Sequence, residues 1–311
     1  CTARFPTEKL RFRPNVTEAE TVRRLLDTGP VLTGERASRR SRIRARIEDD
    51  ERLKAECLQG YYAATEGLDA AMGTLLRGLD EAGLSGDTIV AFSSDHGDMM
   101  GSHRMISKQM PHEESISVPF VLRYPRQVPA GTITDALLGP IDVMPTLLAL
   151  ADLPCPSGID GLDVSAAAVE GKADQRDALL IMKLMPGGNP WTANGVTTWR
   201  GVRTKRFTYA RLLDRGPWLL FDNLADPYQL SNLIGHPEHA AAQRRLDELT
   251  TRLMAEADDP GTDRAIQDGR QKRLAAFRQA TSPTKQEFQL KQGDHLAREE
   301  SPDIANRPFC I

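Results

Sequence analysis

The β-branched apolar run Thr88-Ile89-Val90-Ala91-Phe92 narrows most what this chain can fold into. It follows, across the short turn Ser85-Gly86-Asp87, a segment in which Leu68, Met72, Leu75, Leu76 and Leu79 recur at helical spacing. Gly83 is a good stop for that helix. An amphipathic helix, a tight turn and a buried strand predict an α/β fold. Further along, 118–124 reads as another strand. Asp142 is placed to cap a helix running through Leu150, with Pro145 in its first turn.

The character changes after about residue 175. Short strand candidates lie at 178–182, 198–203, 206–210 and 218–221, and Thr204-Lys205 predicts a tight hairpin. Pro237 can open a helix carrying Leu246, Leu249 and Leu253 on one face. These readings divide the chain into an α/β portion, 1–175, with the strand just described, a small antiparallel-sheet unit with a terminal helix, 176–257, and a polar tail, 258–311. That tail could wrap a neighbouring subunit of a homo-oligomer. Near the other end, 1–34 reads as extended. The stretch 35–56 reads as an exposed charged helix, with Arg44–Glu48 and Arg46–Asp50 at i,i+4 spacing. The run 185–194, with Gly187-Gly188-Asn189-Pro190, is either a specificity loop or a plain connection.

Charge and cysteines exclude several classes. The formal net charge is -3, so no basic excess points to nucleic acid. No apolar run reaches the roughly 18 residues of a membrane span. Cys1, Cys57, Cys155 and Cys310 are scattered, without a CxxC pair, and read as free thiols. Nothing in the sequence fixes a compartment.

The stretch Ser93-Ser94-Asp95-His96-Gly97-Asp98-Met99-Met100-Gly101-Ser102-His103, continuing to Lys108, begins where the predicted strand ends. Ligands of open α/β sheets bind at the carboxyl ends of strands. Asp95 offers a hard anionic oxygen and His96 a neutral nitrogen, both usable by a divalent cation. Gly97 lets the backbone turn sharply beside an ion. Lys108 adds a positive point charge able to reach an oxyanion. By themselves these residues mark a metal or anion site at a strand terminus.

Several segments extend the pattern. They are Gly101-Ser102-His103, Lys108, Glu113-Glu114-Ser115 and Val118-Pro119, with Gly60-Tyr61-Tyr62-Ala63-Ala64 before the strand. Asp142-Val143-Met144-Pro145-Thr146-Leu147-Leu148, Arg200-Gly201-Val202-Arg203-Thr204, Leu220-Phe221-Asp222, Asp226-Pro227-Tyr228 and Asn232-Leu233 follow it. Together they resemble the C-terminal part of sulfatases, members of the alkaline-phosphatase superfamily. The resemblance implies part of an alkaline-phosphatase-like mixed sheet flanked by helices, plus a smaller C-terminal α+β subdomain. It implies that Asp95 and His96 ligate one divalent cation, usually calcium. His at the second position is common in choline-sulfatase-like and phosphonate-monoester-hydrolase-like branches. It implies that Lys108 contacts the sulfate and steadies the leaving oxygen, with His103 also counted on the substrate side. Glu113 and Glu114 read as supporting or helix-terminal residues. His112 stands where many relatives carry an aromatic side chain.

The activity implied is hydrolysis of a small-molecule or saccharide sulfate ester. The family's nucleophile is a formylglycine made from Cys or Ser in a C/S-x-P/A-x-R motif, and that motif does not occur in the 311 residues. Cys1-Thr2-Ala3-Arg4 falls one residue short of it. The expectation is therefore an incomplete chain, whose strand near 88–94 would expose an edge and apolar faces. Hydrolysis of phosphonate monoesters or phosphodiesters, and a non-catalytic metal- or anion-binding remnant, are the alternatives.

Overall fold

A computed structural model describes residues 4–17, 54–171, 176–184 and 198–261. Cys1, Cys310, most of the charged stretch 35–56, the run 185–194 and nearly all of the tail lie outside the described residues. Residues 1–259 cluster as one compact unit and 260–311 as another.

The described elements begin with a helical turn, α1 (Pro14–Thr17), and a long helix, α2 (Gly60–Glu81). Gly83 ends α2 by the mechanism its position suggests. Its φ of 68° lets Gly83 N–H donate to the Asp80 carbonyl (3.1 Å) and Leu84 N–H to that of Leu79 (2.9 Å). None of α2 is buried. Leu68 and Leu75 are about half exposed.

Strands β1 (Val90–Ser93) and β2 (Phe120–Arg123) pair antiparallel, from Val90 opposite Arg123 to Ser93 opposite Phe120. The expected strand over 88–92 thus exists, but it is not buried. Ala91 and Ser93 are exposed, and on β2 so is Val121. The reason is that β1 has only β2 beside it among the described residues, so one edge and alternate side chains stay open.

Between β1 and β2 lies α3 (Glu113–Ile116), and after β2 come α4 (Val143–Leu150) and α5 (Ser165–Glu170). Asp142 precedes α4 as expected but does not cap it. A 3₁₀ turn, Pro140–Asp142, runs straight into the helix, so Asp142 already has helical backbone angles. Its buried carboxylate instead accepts from Gly139 N–H (2.7 Å), Leu162 N–H (2.8 Å) and Arg176 Nη2 (2.6 Å).

Strands β3 (Ala178–Lys183), β4 (Trp199–Thr204), β5 (Phe207–Leu212) and β6 (Gly216–Asp222) form an antiparallel meander in chain order. At the β4–β5 hairpin, the Thr204 hydroxyl accepts from Phe207 N–H at 2.8 Å. Helix α6 (Ala240–Glu256) buries Leu246 against Val202, Tyr209 and Leu220, with Leu249 and Leu253 packed at the edge. A second core cluster joins Met99, Met105, Ile106 and Met110 to Trp199, Ala210, Leu212, Leu219 and Phe221. Consecutive strand residues face opposite sides, so the sheet is covered by α6 on one face and by the loop after β1 on the other.

Candidate active site at the end of strand β1

The chain leaves β1 at Ser93 and places Asp95 in the open, with His96 partly buried beside it. The Asp95 side chain is 82% exposed, and its Oδ2 lies 3.3 Å from His96 Nε2. His96 Nδ1 is 2.8 Å from the Gly97 carbonyl, which can only accept, so Nδ1 carries the hydrogen. That leaves Nε2 as the ring atom facing both the Asp95 carboxylate and the Lys108 ammonium, from which it accepts. An outer hydrogen bond such as that from Nδ1 is how proteins orient imidazole ligands.

These two donor atoms fit a divalent cation. Two ligands bound at about 2.3–2.5 Å and near a right angle to each other stand roughly 3.3–3.5 Å apart. Calcium takes about six to eight ligands, so the pair supplies only part of a set. Among the described residues, no group of three or more His, Cys, Asp or Glu converges for a metal.

Gly97 is needed where it stands. Its N–H donates to the Ser115 carbonyl at 3.0 Å, and a Cβ there would sit 2.0 Å from the Glu114 carbonyl oxygen. The loop from 98 to 110 then folds on itself. Asp98 Oδ1 accepts from Met100 N–H (2.9 Å) and Ser107 N–H (3.2 Å), and Met99 N–H donates to the Ser107 carbonyl (2.7 Å). Met100, His103, Arg104, Ser107 and Gln109 all have left-handed backbone angles. Each such non-glycine residue costs of order 1–2 kcal/mol. The fully buried Met99, Met105 and Met110 anchor the loop and help offset that cost.

Lys108 projects from this loop, and its Nζ donates to His96 Nε2. The structure thus brings Asp95, His96 and Lys108 together. It places His103 elsewhere. The His103 ring is fully buried, 3.4 Å from Asn15 Nδ2 and 4.3 Å between centroids from His112. Burial lowers the His103 pKa, partly opposed by the Glu114 and Asp226 carboxylates.

His112 is also fully buried, between His103 and Phe221, and neither ring nitrogen has a hydrogen-bond partner. Burial, then His103, pushes its pKa well below the usual 6.5. It packs as an uncharged ring against its two aromatic neighbours.

Glu113 and Glu114 anchor the far end of the loop. Glu113 receives Arg203 and the Thr208 hydroxyl, and its N–H donates to Gln229 Oε1. Glu114 receives Asn15 Nδ2 (2.6 Å) and Arg13 Nη1 (3.3 Å). Asn15, Asp98, Trp199 and Gln229 have no signal of their own in the sequence, and Arg203 is marked only by the segment 200–204 that shares the resemblance. Only Asp98 lies inside the motif that drew notice.

Comparison with known proteins places these residues in a family. A family model described as N-sulphoglucosamine sulphohydrolase, C-terminal, matches residues 101–256, and one described as Sulfatase matches residues 1–153. An ulvan-active sulfatase of Formosa agariphila is 41% identical over 214 residues, covering 67% of this chain and 41% of the relative. An endo-4-O-sulfatase of Bacteroides thetaiotaomicron is 34% identical over 231 residues, covering 69% and 45%. A protein solved in complex with its substrate D-glucosamine-2-N, 6-O-disulfate superposes with a TM-score of 0.63 at 27% identity, covering 73% of this chain and 47% of that one. The chain spans less than half the length of each of these three proteins.

Proposed function

We propose, from the premise that this chain belongs to the sulfatase family, that it supplies the cation- and sulfate-facing part of a site hydrolysing sulfate esters of saccharides. Asp95 and His96 are the ligands of one divalent cation, calcium, and Lys108 contacts the sulfate. Sulfatases generally use a divalent metal and a formylglycine. The observation that carries the reading is the pairing of Asp95 Oδ2 with a lone-pair-bearing His96 Nε2, beside the Lys108 ammonium.

A bound divalent ion supplies Lewis-acid polarisation of a sulfuryl oxygen. The chain's own residues prepare for that. Asp95 brings a negative charge that draws the cation. The Gly97 carbonyl holds the His96 ring, so Nε2, which here meets the Lys108 ammonium, does not have to be oriented when a cation takes that place. Lys108 brings positive charge to where the sulfate oxygens would lie and favours the charge they accumulate as the ester bond breaks. The nucleophile's motif is not among these 311 residues. The ulvan-active sulfatase, the endo-4-O-sulfatase and the protein solved with D-glucosamine-2-N, 6-O-disulfate support a sulfated saccharide as substrate class.

Binding tests this without requiring turnover. The chain is titrated with calcium and then with glucosamine 6-sulfate. The expected result is binding of the sulfated sugar that needs calcium, fails with unsulfated glucosamine, and is at least about tenfold weaker, though still measurable, in Lys108→Ala. Equal binding of sulfated and unsulfated sugar would overturn the reading. Tighter binding of a phosphonate monoester would favour the phosphonate-hydrolase alternative.

A further inference from the structure

Lys108 sits between two residues with left-handed backbone angles, Ser107 (φ 71°) and Gln109 (φ 73°). Neither is glycine, so each conformation is strained and persists only where its surroundings hold it. Both are held at the backbone. Ser107 N–H donates to Asp98 Oδ1 at 3.2 Å, and the Ser107 carbonyl accepts from Met99 N–H at 2.7 Å. The same Asp98 oxygen accepts from Met100 N–H, so one carboxylate oxygen ties the start of the loop to the residue before Lys108. On the other side, the Gln109 carbonyl accepts the indole N–H of Trp199 at 3.0 Å. Trp199 is the first residue of β4 and is 2% exposed, packed in the core cluster that holds Met99 and Met110.

A lysine side chain turns freely about its bonds, so its ammonium is aimed only as well as its backbone is fixed. We propose that Asp98 and Trp199 are positioning residues for Lys108, pinning the two left-handed residues that flank it and so fixing how its ammonium is presented beside His96. Asp98 acts from within the loop and Trp199 from the sheet beneath it. The buried strand β4 of the four-stranded sheet is thereby connected to the group that meets the sulfate. This inference rests on the reading of Lys108 as the sulfate-contacting residue.

A merely stabilising role for either residue would not depend on Lys108, and that separates the two cases. Affinity for glucosamine 6-sulfate is measured on the calcium-loaded 311-residue chain. The variants are Asp98→Ala, Asp98→Asn, Trp199→Phe and Lys108→Ala, plus the first and third each combined with Lys108→Ala. Asp98→Ala and Trp199→Phe are each expected to weaken binding about tenfold, the scale of one lost hydrogen bond to a charged or buried partner. Asp98→Asn keeps an acceptor oxygen and is expected to recover most of the affinity. In the Lys108→Ala background neither substitution should weaken binding further, and calcium affinity should hold throughout. The proposal is overturned if both weaken binding equally with and without Lys108, or if neither weakens it while Lys108→Ala does. Wild-type binding by Lys108→Ala alone would instead overturn the reading of Lys108 itself, and the proposal with it. Should Asp98→Ala not fold, Trp199→Phe decides alone: it removes the N–H while keeping an aromatic ring in the core, and its combination with Lys108→Ala separates lost aim from lost packing.

Discussion

Arg203 on β4 grips Glu113 at the head of α3 through two hydrogen bonds, Nε to Oε1 at 2.7 Å and Nη2 to Oε2 at 3.1 Å. Glu113 is also met by Thr208 on β5 and, through its N–H, by Gln229. The antiparallel sheet therefore fastens the far end of the loop that carries Lys108. A paired, planar contact of this kind is stronger than a single surface ion pair. Arg203→Ala is expected to lower stability by about 1–3 kcal/mol in chemical denaturation. Glu113→Ala should cost a similar amount, and the double variant no more than the larger single loss. Strict additivity would show that the pair is not acting as a unit.

The two buried histidines predict an acid-sensitive fold. Burial lowers the pKa of His112 far below 6.5 and that of His103 less. The unfolded chain therefore takes up protons near pH 6.5 that the folded chain refuses. Stability is full above that pH and falls as the pH drops below it. His112→Phe keeps a ring against His103 and Phe221 and removes two nitrogens that have no partner. It should flatten the fall between about pH 7 and pH 5 and leave the chain as stable or more so at neutral pH. An unchanged pH dependence in this variant would place the acid sensitivity elsewhere.

Asp142 is a fully buried carboxylate whose partners include Arg176, itself only 15% exposed. Asp142→Ala leaves that guanidinium without its buried partner and frees two backbone N–H groups. The expected loss is about 3–5 kcal/mol, enough to unfold a marginal domain. A loss below about 1 kcal/mol by urea denaturation would mean the site is wetter than the structure has it.

Gly97→Ala would drive a methyl group into the Glu114 carbonyl. The clash is with backbone, so the two segments must separate, and the His96 ring loses its hold on the Gly97 carbonyl. Calcium affinity is expected to fall at least tenfold while far-UV circular dichroism stays near that of wild type. Unchanged affinity would mean that the turn after β1 adapts without moving His96.

What the sequence made legible was local. Gly83 could be read as a helix stop because the cap involves residues no more than five apart. The hairpin at Thr204 and the leucine face of α6 were readable for the same reason. The motif around Asp95, His96 and Lys108 was readable because its residues are close in the chain. The misread burial of β1 depended on what packs beside it, which its own residues cannot report. Asp142 reads as a cap by position, but the neighbouring 3₁₀ turn redirects its carboxylate toward Leu162 and Arg176. His103 follows the motif in sequence yet is drawn inward by Asn15, 88 residues away. Trp199 and Arg203 reach the loop across 90 residues, so no local pattern could announce those contacts.

The central claim is that Asp95 and His96 hold a divalent cation beside Lys108, and calcium titration by isothermal calorimetry tests it most directly. The account predicts one binding event in the wild-type chain, at least tenfold weaker in Asp95→Ala and in His96→Ala. It predicts binding no weaker in Lys108→Ala, which removes a positive charge near the ion. Calcium binding that ignores both ligand substitutions would contradict the account.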